Sequence, residues 1–439
     1  MPPRYGNNGY GGYNGYGAGY GGYGYRAPQP PQRKRGRGCL AALATVAVIV
    51  LIVVAAIMLA RPLLSDLGVF DQVASLLPGG SHAGGELTQE DHDRLDRELQ
   101  GYYVYTALGE DDRACYRIMY DAFVTREARA YPFSGSEDLA RVRNYVVADH
   151  PELFYISGVN ARTTTTNLVW GQSSDTVVEG IYRYDAAQTE VLQRQLEENA
   201  AACIAGMPRD ADDYEKAKYL YEFLAQTVEY DWSVYDAITA ENGSGAGQTA
   251  VDALVGKSAV CAGYSNAFGY LAQQVGLQSV YVMGTARGDS HAWNVVKLDG
   301  DYYYVDATWG DPQFVQGNGE ASELDHVNYD YLCVTTSDIM LEHVLDPGSV
   351  VPECTATADN YYVREGALLT SADVVQAGDL VQQAYAEGRT GVQMRCTSYD
   401  SYVQLKSLLF DVGMVYRYIP GNTCWYTTND ALCSIAIIF

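Results

Sequence analysis

The sequence predicts an α+β fold: a helix carrying a cysteine packed on an antiparallel sheet, flanked by further α+β regions and preceded by one transmembrane helix. Three observations carry this. The stretch GKSAVCAGYSNAFGYLAQQVG, from Gly256 to Gly276, switches at Cys261 from small and glycine residues to a helical period. Two β-like runs flank Asp299-Gly300, the dipeptide most typical of a two-residue hairpin turn. Between Cys39 and Ala60 the chain is apolar and uncharged over a length that suits a membrane-spanning helix.

Residues 1–38 are a Gly/Tyr-rich, low-complexity tail without the branched apolar side chains needed to offset chain entropy, and they read as disordered. The apolar run at 39–60 is longer than the core of a signal peptide, follows a long tail and lacks a small-x-small cleavage site. Arg33, Lys34, Arg35 and Arg37 precede it, whereas Asp66 and Asp71 soon follow. The positive-inside rule therefore leaves the tail in the cytoplasm and the rest of the chain outside a single-pass anchor in the cell membrane. Residues 61–87, ending in LLPGGSHAGGE, form a linker.

Helix and strand patterns alternate from 88 to 210. Cys115, Ile118, Met119, Ala122 and Phe123 fall on one helical face. ELFYISGV, TTNLVWGQ and TVVEGIYRY read as strands. Residues 186–206 return to a helical pattern, with Val191, Leu192, Leu196 and Ile204 as core candidates. A second helix around DYEKAKYLYEFLAQT carries Ala217, Leu220, Tyr221, Leu224 and Val228 on one stripe. The segment 211–350 holds Cys261 and the hairpin, and 351–439 reads as a small α+β domain with strands at GVQMRCTS and CSIAIIF.

The chemistry gathers around Cys261. Tyr264, Ala267, Phe268, Leu271, Ala272 and Val275 make one apolar helical face after it, which places the cysteine at a helix N-terminus. The free amides and the positive end of the dipole there favour a thiolate and could hold an oxyanion. A thiolate needs a base and something to orient it. The turn at Asp299-Gly300 pairs Leu298 with Asp301 and Val295 with Tyr304. Extended further, the register sets Trp293 against Asp306 and His291 against Thr308. His291 and Asp306 become diagonal neighbours, close enough for the carboxylate to fix the imidazole and present its other nitrogen to the thiol. His82, His92, His150, His326 and His343 show no metal-ligand spacing.

VCAGYSNAF, HAWNVVKLDGDYYYVDATWGD and the preceding VEYD resemble the transglutaminase-like superfamily, whose core is similar to papain-type cysteine proteases. The likeness is strongest over 214–312 and points to bacterial cell-surface proteins carrying this domain. It implies a catalytic triad of Cys261, His291 and Asp306, in the family's chain order. The upstream oxyanion donor has no fixed motif here; Gln248, Tyr230 and Trp232 are candidates, while Asn294 and Trp309 would shape or buttress the site. No calcium pattern of the animal enzymes is present, so the resemblance implies no metal and no cofactor.

The chain has a formal charge of −25, although residues 1–61 contain basic residues and no acidic ones. So acidic an outer part disfavours nucleic acid as a partner. Of its nine cysteines, the seven outside the membrane other than Cys261 could form disulfides in an oxidising compartment, with Cys115–Cys203 and Cys424–Cys433 as the expected pairs. The expected function is a surface cysteine enzyme acting on amide or peptide carbonyls through a thioester, by transfer to an amine or to water. Protein or cell-wall peptide substrates follow from the location. The alternative is a non-catalytic binding or scaffolding module on the same fold.

Overall fold

In the computed structural model, which describes residues 85–132, 139–168, 171–240, 246–311, 326–419 and 424–439, the chain first builds a four-stranded sheet. The tail, the apolar run at 39–60 and most of the 61–87 linker lie outside the described residues. Among the described residues no helix is long and apolar enough to cross a membrane. β1 (Gly85–Glu86) runs parallel to β2 (Arg129–Pro132), and the hairpin of β3 (Ile156–Leu168) and β4 (Gly171–Tyr182) completes the order β1-β2-β4-β3. The helices beside it are α1 (Gln89–Leu99), α2 (Glu110–Thr125) and α3 (Leu139–Asp149). α2 begins with Glu110, Asp111 and Asp112, which suit the positive end of its dipole, and buries the five expected residues against α3 and β4.

Five described helices start with the same device, a side chain that caps the N3 amide while the N3 side chain caps it in return; one is the short helix Thr336–Ile339 (Thr335 with Asp338). The other four are α1 (Thr88 with Asp91), α4 (Ala186–Ala205; Asp185 with Gln188), α5 (Asp213–Thr227; Asp212 with Glu215) and a short helix at Ala250–Leu254 (Thr249 with Asp252). On α4 the buried residues are Leu196, Ala200 and Cys203, whereas Val191 is 46% exposed. Val191 lies five residues before Leu196, about 140° around the helix from the inward stripe, so it is not a core residue. The stripe expected on α5 is buried throughout.

β5 (Glu229–Tyr230) pairs in parallel with β6 (Ser258–Ala259), which brings the start of α6 (Trp232–Thr239) beside the chain entering α7 (Cys261–Gln274). α7 packs on β7 (Ser279–Ala286) and β8 (Asp289–Leu298) of a second sheet. With β9 (Asp301–Val305), β10 (Leu332–Val334) and β11 (His343–Leu345) that sheet has the order β10-β9-β8-β7-β11, antiparallel throughout. The expected turn is present: Asp299 and Gly300 have φ of 50° and 101°, both in the left-handed region a type I′ turn requires. Leu298 pairs with Asp301 and Val295 with Tyr304, as the register predicts.

That register stops one residue early. β9 ends at Val305, and Asp306 caps the short helix Ala307–Gly310, so Thr308 is helical and does not face His291. The cause is the Asp306 side chain, whose Oδ1 accepts the amides of Thr308 (3.0 Å) and Trp309 (3.2 Å) and turns the chain out of the sheet.

A third sheet, β12-β13-β15-β14, contains β12 (Leu368–Leu369), β13 (Gly391–Cys396), β14 (Trp425–Asn429) and β15 (Ser434–Ile438), with α8 (Val374–Ala386) packed on β13. Neither expected disulfide forms, and Cys203, Cys424 and Cys433 are thiols. The pairing of Trp425 with Ile438 through Asn429 with Ser434 sets Cys424 and Cys433 at opposite ends of the hairpin, roughly 17 Å apart along an extended strand. A disulfide spans less than ~7 Å between Cα atoms. Cys433 lies instead opposite Cys396, whose amide donates to its carbonyl (2.9 Å). Cys115 packs in α2 against the first sheet, away from Cys203 on α4. The described residues form one compact unit around a shared core.

Candidate active site

Unlike the five helices with reciprocal caps, α7 begins at Val260 with no side-chain cap. The Val260 carbonyl accepts the amides of Gly263 (2.8 Å) and Tyr264 (3.2 Å), which leaves those of Cys261 and Ala262 as first-turn amides with no acceptor inside the helix. Such amides are what an oxyanion needs. The approach to Cys261 is tight. A Cβ on Gly263 would lie 2.5 Å from the Gly247 carbonyl, so only glycine admits the neighbouring loop. The helix is tied down by Asn294, whose Nδ2 donates to the Ser265 carbonyl (3.1 Å) and to Ser279 Oγ (3.3 Å). Asn294 therefore buttresses the cysteine helix from beneath.

His291 lies on β8, paired with Gly284 of β7, and its Nε2 donates to Asp306 Oδ2 (2.7 Å). The Cys261 side chain hydrogen-bonds to the same imidazole. With Nε2 committed to Asp306, the nitrogen left for the thiol is Nδ1. Burial disfavours a charged ring, yet the Asp306 carboxylate and the bonds to Asp306 and Cys261 raise the His291 pKa well above the ordinary imidazole range. Burial likewise opposes ionisation of Asp306, but His291 and His343 hold it well below the usual carboxylate range.

His343 has no metal-ligand spacing in the sequence, yet the fold brings it here. β11 pairs with β7, His343 opposite Ala286, and His343 Nε2 donates to Asp306 Oδ2 at 3.0 Å. His291, Asp306 and His343 offer ligand atoms all within 4.8 Å of one another, a spacing a divalent cation could bridge. The two N···O separations are those of hydrogen bonds, and they already fill Oδ2.

The remaining candidates divide by distance from the thiol. Tyr230 is buried beside Cys261; burial first, then the thiol's charge, raises its pKa, so the phenol keeps its proton. Trp232 packs on the Tyr230 ring (4.7 Å between centroids), one step removed. Gln248 meets α7 through its main chain, with its carbonyl accepting from Asn266 Nδ2 (2.8 Å). The Trp309 ring lies against those of His291 (5.7 Å) and His343 (4.6 Å), with the Arg287 guanidinium over its face (4.6 Å). Trp293 stacks on His291 from the same strand (5.9 Å). Tyr281 on β7 also feels the Cys261 charge, and nothing in its local sequence marks it. The signal for both missed residues, Tyr281 and His343, is strand pairing that no local pattern announces.

Residues 202–307 match the model of the transglutaminase-like superfamily. No curated protein matches the chain. A solved structure described as a TGase aligns at 14% identity over 46% of this chain and 53% of its own, with a TM-score of 0.26. A structure from Cytophaga hutchinsonii, provisionally described as a cysteine protease, aligns at 14% identity over 35% of this chain and 65% of its own, with a TM-score of 0.22. The chain thus spans less than two thirds of either structure's length.

Proposed function

The chain carries a transglutaminase-like domain over residues 202–307, and on that premise we propose that it is a cysteine enzyme acting on carboxamide or peptide carbonyls through a thioester. The observation that supports this reading is the unbroken hydrogen-bonded line from the Cys261 side chain through His291 to Asp306. Cys261, as the thiolate, attacks the carbonyl carbon while His291 holds the proton that left sulfur. The oxyanion so formed meets the Cys261 and Ala262 amides and the Tyr230 phenol. Collapse breaks the C–N bond, and the amine leaves with the proton from His291. The acyl group, now a thioester, passes to an amine to give an isopeptide bond or to water to give an acid. His291 takes the incoming nucleophile's proton and returns it to sulfur. Asp306 fixes the ring and stabilises its charge throughout. In this reading the enzyme is displayed outside the membrane, where cell-wall peptides and neighbouring proteins are within reach.

The test incubates the purified full-length chain with a tagged primary amine and a glutamine-containing protein. Covalent incorporation of the amine that is lost in Cys261→Ala supports transfer, and cleavage alone that is lost in the same variant supports hydrolysis. Neither product, with Cys261 alkylated no faster than a free thiol, sinks the enzyme reading and leaves a binding module.

A further inference from the structure

We propose that His343 is a positioning residue for this site: it holds Asp306 Oδ2 from the side opposite His291, so that the working unit is the line Cys261–His291–Asp306–His343. This rests on the enzyme reading above and deepens it.

The geometry behind it is a complete accounting of one carboxylate. Asp306 is fully buried and makes four hydrogen bonds, two on Oδ1 from the Thr308 and Trp309 amides and two on Oδ2 from His291 and His343. A carboxylate has about four lone-pair sites, so each is used. Three of the four donors are fixed: two are backbone amides, and the third is His343, 1% exposed and wedged between Trp309 (4.6 Å) and Trp293 (4.9 Å). The fourth, His291, gains and loses a proton during turnover. Without His343, Oδ2 would be held only by the ring it has to hold. The Nδ1 atom of His343 is buried with no partner among the described residues. A bare lone pair there costs less than an orphaned N–H, so the ring's one proton belongs on Nε2, facing Asp306.

Around this pair the titratable and charged groups are Cys261 from α7, Tyr221 from α5, Tyr230 from β5, Tyr331 ahead of β10, and the Arg287–Glu342 ion pair at the β7 and β11 ends. None of them replaces His343 as a donor to Oδ2 among the described hydrogen bonds.

The test uses the full-length protein labelled with 15N-histidine, together with the pH dependence of Cys261 alkylation by iodoacetamide. His343 is expected as the Nε2–H tautomer. His343→Ala is expected to lower the plateau rate about tenfold, the scale for groups that orient a working histidine from behind, and to move the acid limb to higher pH as Asp306 loses a donor. His343→Gln, whose amide can reach the same place, is expected to restore most of the rate. A wild-type thiol no more reactive than a free one overturns both the enzyme reading and this inference. Wild-type reactivity that is unchanged in His343→Ala overturns this inference alone. So does an Nδ1–H tautomer, a measurement that stands even if the alanine variant fails to fold.

Discussion

At the scale of single residues, Asp306 decides the protonation of His291. The His291 pKa is raised because a buried carboxylate lies 2.7 Å from Nε2. The reactive pair in the proposed reaction is thiolate with imidazolium, so turnover, which needs the imidazolium's proton for the leaving amine, is lost at the alkaline end where that proton is given up. That limb should therefore lie above the ordinary imidazole pKa of about 6.5. In Asp306→Asn the carboxylate charge is gone and burial governs the ring, so the alkaline limb should fall by at least about one pH unit, with turnover down roughly 10²–10⁴-fold. The pH profile of turnover checks both, and an unmoved alkaline limb would show that Asp306 does not set the His291 charge. Tyr230 separates differently. Its phenol stays protonated beside the thiol, where it can serve the oxyanion but not the thiolate's formation. Tyr230→Phe should lower turnover by about 10²-fold, the usual cost of one such donor, while alkylation stays within about twofold of wild type. Equal loss in both measurements would remove Tyr230 from the oxyanion role.

At the scale of elements, the local signals in the sequence and the structure agree where a single element sets the outcome. The I′ turn at Asp299-Gly300, the α5 stripe and the α7 face are all decided within a few residues. Local signal and structure part where a side chain redirects the backbone, as Asp306 does in ending β9, and where a helix takes its inward face from its neighbours, as α4 does in exposing Val191. α3 carries a consequence of its own. Asp149, its last residue, is fully buried, accepts from Tyr116 Oη (2.9 Å), and has its pKa pushed up to about 7, chiefly by burial. A carboxyl whose folded pKa exceeds its unfolded value of 3.8 binds its proton more tightly when folded. Its contribution to stability is therefore best in acid and is lost as pH rises through about 4 to about 7. Asp149→Asn should abolish that component and, above pH ~7.5, raise stability by an amount on the order of a few kcal/mol. Thermal unfolding at acid and mildly alkaline pH measures it. A variant less stable than wild type at the alkaline end would mean the ionised carboxylate is paid for by contacts that outweigh its burial.

At the scale of the whole molecule, what sequence could not supply is the docking of distant segments. His343 reaches the site only because β11 completes the sheet at its β7 edge, 37 residues after Asp306. The third sheet reaches it through Asp330. That carboxylate is buried between the two sheets and accepts from Tyr362 Oη (2.5 Å) and Ser434 Oγ (2.8 Å), both from the C-terminal region. The next residue, Tyr331, offers its carbonyl to the Asp306 amide (3.0 Å). The C-terminal region thus holds the backbone on which the site's carboxylate is mounted, and the two should fail together. Tyr362→Phe and Ser434→Ala each take one donor from a buried carboxylate, a loss of about 1–3 kcal/mol. Combined, they should depart from the sum of the single losses, because Asp330, left with only Asn429 and the Arg395 charge to offset its burial, takes up a proton more readily. The same order should appear in the Cys261 alkylation rate, slowest in the double variant, since loosening Tyr331 loosens Asp306 and with it His291. Denaturant unfolding and alkylation kinetics on the four proteins decide the matter. If stability falls and the thiol reacts as in wild type, residues 351–439 stabilise the chain without positioning its chemistry.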